Sequence, residues 1–128
     1  MAIIDVPSGT SCSMVAAVKD TDYVVLVTEP TPFGLSDLEL AIEVVSQLQF
    51  RFGVVINRVG LGDSRVHEFC SAKGIAILAE IPDDRRIAEA YSRGELVVDS
   101  LAEYRSVFKG LLTGAQMRLG KEVTNANL

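Results

Sequence analysis

Residues 23–38 read Tyr23-Val24-Val25-Leu26-Val27-Thr28-Glu29-Pro30-Thr31-Pro32-Phe33-Gly34-Leu35-Ser36-Asp37-Leu38. The apolar, largely β-branched run up to Val27 has the composition of a strand buried on both faces. Two prolines and a glycine then break the chain. From Leu35 the period changes, with Leu35, Leu38, Ala41, Ile42, Val45 and Leu48 recurring at three- and four-residue spacings. Ser36 with Glu39 offers a capping box for that helix. A strand passing through a short turn into an amphipathic helix is the repeating unit of a parallel α/β sheet.

The alternation continues on either side. Ile3-Ile4, Gly53-Val54-Val55-Ile56 and Ile75-Ala76-Ile77-Leu78-Ala79 read as further strands. A helix is expected over about residues 10–18, capped by Thr10, Ser11 or Ser13. Another begins after Asp63, places Val66, Phe69 and Cys70 on one face and stops at Gly74. A third runs from about Asp84 to Ser92, with Gly94 as its stop. Ser100 with Glu103 suggests a capping box for a last helix carrying Leu101, Tyr104, Val107, Phe108, Leu111, Leu112 and Ala115. The expected fold is three-layer α/β, with a mainly parallel sheet of about four strands. It occupies one domain over residues 1–118, followed by a polar, mobile tail over residues 119–128.

At 128 residues the chain can bury a real core, and 48% hydrophobic against 23% charged residues excludes wholesale disorder. The net charge of −5, with basic residues clustered only in pairs such as Arg85-Arg86, argues against a nucleic-acid surface. No apolar run approaches the roughly 18 residues of a membrane span, and no signal segment opens the chain. These features point to a cytoplasmic protein without a membrane partner. Cys12 and Cys70 are far apart and form no Cys-x-x-Cys pair, so neither a disulfide framework nor a self-contained iron–sulfur or zinc site is encoded.

Ligands of parallel α/β sheets lie beyond the carboxyl ends of the strands. Asp5 and Gly9, Thr28 to Thr31, Asn57-Arg58 and Pro82-Asp83 are the polar positions that follow successive strands. A carboxylate such as Asp5 can hold Mg²⁺ through water, and the Gly9 amide can approach a terminal phosphate; a helix cap is the plainer reading of Asp5. The Asn57 carboxamide offers a donor and an acceptor to a base edge, or closes a turn. Arg58 either flanks that base or lies in solvent. Cys12 sits near a helix start, Cys70 reads as core, and His67 as an exposed, non-catalytic histidine. Glu29, Asp37, Asp83 and Asp84 lack the Ser, Cys or His partners of acid–base catalysis and read as caps and solvated turns.

The run Ile4-Asp5-Val6-Pro7-Ser8-Gly9-Thr10, together with Thr28 to Leu38, Val55-Ile56-Asn57-Arg58 and Ala79-Glu80-Ile81-Pro82-Asp83, resembles the MinD/Mrp/ParA class of P-loop ATPases. Within it, the pattern is most similar to the MinD-superfamily ATPases with an inserted ferredoxin domain. The resemblance covers about residues 2–100. It implies Asp5 as the Walker B carboxylate, Gly9 as the switch II glycine, Asn57 as the adenine-recognising residue and Pro82 as a border of the base. ATP and Mg²⁺ are the implied cofactors, with iron–sulfur clusters held only through a further domain. Ser8 stands where the family usually has a second proline. The family's Gly-rich phosphate loop with its Lys and Thr is nowhere in the sequence. The chain therefore reads as the C-terminal half of such a domain, expected to be inactive alone. Its expected partners are a missing N-terminal half or a homologous subunit, with self-association to cover bare strand edges. The competing expectation is a non-enzymatic interaction module with a degenerate nucleotide site.

Overall fold

The computed structural model describes residues 1–6 and 12–126. A three-stranded parallel sheet forms the centre, from β1 (Val24–Thr28), β2 (Phe52–Val59) and β3 (Ile77–Pro82), in the spatial order β1-β2-β3. Helices α1 (Cys12–Val18), α2 (Pro32–Gln47), α3 (Arg65–Lys73), α4 (Arg85–Ser92), α5 (Val97–Ser100) and α6 (Arg105–Ala126) surround it, with a 3₁₀ turn over Ala102–Tyr104. The α/β class and parallel pairing agree with the sequence. Ile3-Ile4 does not: residues 1–6 are irregular, and Ile3 and Ile4 are exposed, giving three strands where about four are expected. Two apolar residues supply too few ladder bonds to offset the cost of ordering the backbone.

The core lies mainly on one face of the sheet. Val54 and Ile56 of β2 meet Leu38 of α2 and Val66 and Cys70 of α3. Beside them, Met14 and Val18 of α1 close over Val24 and Val45, with Val6 packed against this group. Cys70 is fully buried, so its role is packing, while Cys12 is exposed. Burial raises the Cys70 thiol pKa above its ordinary value, which keeps it protonated and inert.

The opposite face is covered by α6. Gly114 packs near Leu78, and a side chain at Gly53 would lie 2.7 Å from Leu78 and 2.5 Å from the Tyr23 hydroxyl. Val25 and Val27 pair with Gly53 and Val55 in register and so share this face, yet both are exposed. The α6 cover thus lies on β3 and leaves Val25 and Val27 of β1 bare. No helix among the described residues is long and apolar enough to cross a membrane.

Several helix boundaries differ from expectation. Helix α2 starts at Pro32, because the Thr31 hydroxyl accepts the Gly34 N–H at 3.0 Å and proline is suited to the first helical position. Ser36 and Glu39 therefore sit inside the helix. Ser100 does not cap α6: its hydroxyl donates to Glu95 at 2.6 Å, and α6 begins five residues later. Helix α6 runs to Ala126, so helical geometry extends past Leu119, where the amphipathic pattern fades. Asp63 accepts the Arg65 N–H at 3.0 Å, and Gly74 ends α3 with φ of 66°, both as the sequence indicates.

Asp84 caps α4 by accepting the Arg86 N–H at 2.9 Å. It also accepts the buried Tyr104 hydroxyl at 2.5 Å and the Arg86 guanidinium at 2.7 Å, which ties α4 to the start of α6. The Arg86 guanidinium, then the Tyr104 hydroxyl, hold the Asp84 carboxyl well below the usual carboxylate range. A pKa depressed in the folded state adds stability above the unfolded value of about 3.9 that is lost as pH falls through the folded value. The stability gap between the wild type and Asp84→Asn, measured by urea unfolding, is therefore expected to be full at neutral pH. It should narrow steadily below about pH 4.

Candidate functional site

The turn after β1 is fixed by its own side chains. The buried Thr28 hydroxyl donates to the Gly34 carbonyl at 2.9 Å, and Thr31 accepts the Gly34 N–H. Gly34 is required there, since a Cβ would stand 2.1 Å from the Glu29 carbonyl oxygen. The turn is then pinned to the loop after β2. The Asp63 N–H donates to the Pro30 carbonyl at 3.1 Å, and a Cβ on Gly62 would lie 1.7 Å from that same oxygen. Two loops at the carboxyl edge of the sheet thus behave as one unit.

Asn57 and Arg58 lie within β2, not in a loop after it. Between Ile56 and Val59 the strand advances three residues while β3 advances only from Glu80 to Pro82. This extra residue is a β-bulge, and Arg58 occupies it with φ of 57°, a left-handed conformation that glycine would adopt more easily. Bulges bend a strand and re-aim its side chains. Here the Asn57 Oδ1 accepts the Arg58 N–H at 3.0 Å, which leaves the Asn57 amide donor and one further acceptor position for other partners.

The Arg58 guanidinium spans the edge. Its Nε meets Asp83 Oδ1 at 3.1 Å, and Nη1 lies 3.9 Å from Glu29 Oε1. One side chain therefore ties the end of β2 to the turns that follow β1 and β3. The three groups are about half exposed, so each pairing contributes less than about 1 kcal/mol; its effect is mainly to fix geometry. Pro82 closes β3 and is exposed, and the Asp83 N–H donates to the Val59 carbonyl at 2.9 Å. Asn57, Arg58, Pro82, Glu29 and Asp83 thus lie together on one edge. Neither the bulge nor the Arg58 bridge is legible in the sequence, because no glycine marks the positive φ and the partners are distant along the chain.

Asp5 is placed differently. It is exposed in the irregular segment 1–6, with no hydrogen bond or ion pair among the described residues. Gly9 lies outside the described residues. Among those described, no group of three His, Cys, Asp or Glu side chains could hold a metal. Asp5 offers one ligand at most, so these residues do not by themselves fit Mg²⁺, and the two separated cysteines do not fit an iron–sulfur cluster. A base edge fits better, since Asn57 retains both a donor and an acceptor. His67, read from sequence as exposed, is only partly so and pairs through Nε2 with Glu80 of β3.

The fold is that of part of a MinD/ParA-type P-loop ATPase domain. It superimposes on the MinD cell division protein of Aquifex aeolicus with a TM-score of 0.69 at 22% identity, covering 90% of this chain and 51% of that one. The Pyrococcus furiosus cell division ATPase MinD gives 0.67 at 23% identity, covering 95% and 50%. In sequence, the chain is 40% identical over 94 residues to an uncharacterised protein of Methanocaldococcus jannaschii, covering 73% of this chain. It is 27% identical over 113 residues to an iron–sulfur cluster carrier protein of Aquifex aeolicus, covering 77% of this chain. The chain spans 31% of the length of each of these two relatives. No protein-family model matches the sequence.

The bulge yields a direct test. Arg58→Gly removes the ion pairs and relieves the backbone, whereas Arg58→Ala removes the same pairs and keeps the strain. Arg58→Gly is expected to be more stable than Arg58→Ala by about 1 kcal/mol in chemical denaturation. Equal stabilities would mean that residue 58 does not need a left-handed backbone.

Proposed function

We propose that this chain forms the base-binding side of a MinD-type, Mg²⁺-dependent ATPase site whose phosphate loop is carried by other polypeptide. The observation that carries this reading is the bulge in β2, which fixes Asn57 and Arg58 at the carboxyl edge beside Pro82. In this reading Asn57 pairs with the adenine edge through its amide donor and remaining acceptor. Arg58 and the Pro82-Asp83 turn border the base. Asp5 would offer at most one ligand to a metal and Gly9 one amide to a terminal phosphate, with the remaining contacts supplied from outside this chain. This chain's own residues recognise the base and hold its orientation.

The similarity to an iron–sulfur cluster carrier supports a link to iron–sulfur proteins, with any cluster held outside this chain. A homologous subunit is the proposed partner, and the bare face of β1 supports association. The site is proposed to work in the cytoplasm, without nucleic acid or membrane.

Isothermal titration of the 128-residue chain with ATP and Mg²⁺ is expected to show neither micromolar affinity nor turnover, because the phosphate-cradling amides and lysine are absent from its sequence. With a complementary polypeptide that carries the phosphate loop, binding and hydrolysis are expected to appear. Asn57→Ala should then weaken ATP binding by about tenfold or more and reduce discrimination against GTP. Failure of any complementing polypeptide to restore nucleotide binding would favour an interaction module with a degenerate site.

A further inference from the structure

The opposite edge of the sheet, where the strands begin, carries a second feature. A cavity of about 450 Å³ opens there between the turn into β2, the end of α3 and α6. Arg51, Lys73 and Arg118 line it, with Tyr23, Phe50 and Phe52 as aromatic walls. No acidic side chain is among its described lining residues. On a chain of net charge −5, three cations converging on one concavity run against the average surface.

Ion pairing sharpens the contrast. Arg58, Arg65, Arg85, Arg86, Arg93 and Arg105 each meet a carboxylate within 4.0 Å. Lys73 meets none among the described residues. Arg118 donates from Nη1 to the Gly114 carbonyl at 3.2 Å on its own helix, and that neutral partner does not cancel its charge. The Gly74 and Ile75 N–H groups already bond to the Ser71 and Cys70 carbonyls.

We propose that this cavity binds a small organic phosphate with a planar apolar body. A phosphate group carries close to two negative charges and several acceptor oxygens, which suits a guanidinium fork beside a mobile ammonium. The aromatic walls give the planar body a surface to pack against. Lys73 also faces the carbonyl end of α3, where a cation offsets the helix dipole, so a purely structural role must be separated from binding. The cavity lies on the edge remote from Asn57 and Arg58, and the proposal does not depend on the nucleotide reading.

Phenyl phosphate is the probe, titrated at low salt into the full chain and followed by amide NMR. Saturable shifts are expected at Phe52, Gly74, Ala76 and Arg118, with a Kd of about 1 mM or tighter. Inorganic phosphate should bind more weakly, and benzyl alcohol should leave these signals unchanged. The double variant Lys73→Gln/Arg118→Gln should lose at least about tenfold in affinity while its thermal midpoint stays close to wild type. The proposal is overturned by no saturable binding, by shifts spread equally over Lys19, Arg85 and Lys109, or by a double variant that binds as tightly as wild type. Equal affinity for inorganic phosphate would overturn the aromatic part of the ligand, and equal affinity for benzyl alcohol its charge.

Discussion

Burial of β2 on both faces is the constraint around which the molecule is arranged. Val54 and Ile56 require α2 and α3 on one side, while on the other Gly53 lies against Tyr23 and Leu78 and Val55 is buried. A strand covered twice must have its backbone groups satisfied laterally, and β1 and β3 meet that need in parallel. Short loops then force the helices to the two faces and gather the strand ends on one edge. The bulge at Arg58 is where this central strand leaves the core and turns its polar residues toward that edge.

The strands that β-branched residues fill were legible, because Val24 to Val27 and Val54 to Ile56 can be satisfied only by burial. Their limits were less so. Asn57 and Arg58 look like a turn in sequence, yet β2 continues through them, since β3 still supplies partners up to Pro82. Ser36 with Glu39 imitates a helix start, but Thr31 and Pro32 win because they satisfy an orphan N–H and preset the first helical φ. Ile3-Ile4 has strand composition without the lateral partners that would make it one. His67 and Glu80 find each other through the packing of α3 on β3, a relation thirteen residues apart that no local pattern encodes.

The site is equally divided between what local chemistry sets and what the fold assembles. Gly34 is demanded by contact with Glu29 within its own turn, and the motif around it can be read directly. Gly62 is demanded by Pro30, more than thirty positions away, and its necessity appears only when two loops are brought together. Arg58 depends on both kinds of information. Its conformation is local, but its partners Glu29 and Asp83 come from different loops. Exposed ion pairs of this kind add little stability, and what they provide is a common frame for the end of β2 and two loops.

The bare flank of β1 has a kinetic consequence. A parallel strand points alternate amides to its two neighbours, and among the described residues β1 has only β2 beside it. Half of its amides are therefore held by the most protected strand in the molecule while the other half face outward. Proton exchange along five consecutive residues should fall into two alternating tiers, slow toward β2 and fast away from it. A strand pairing along the outer edge of β1 would merge those tiers, so this one strand records in its exchange rates whether the sheet stands alone.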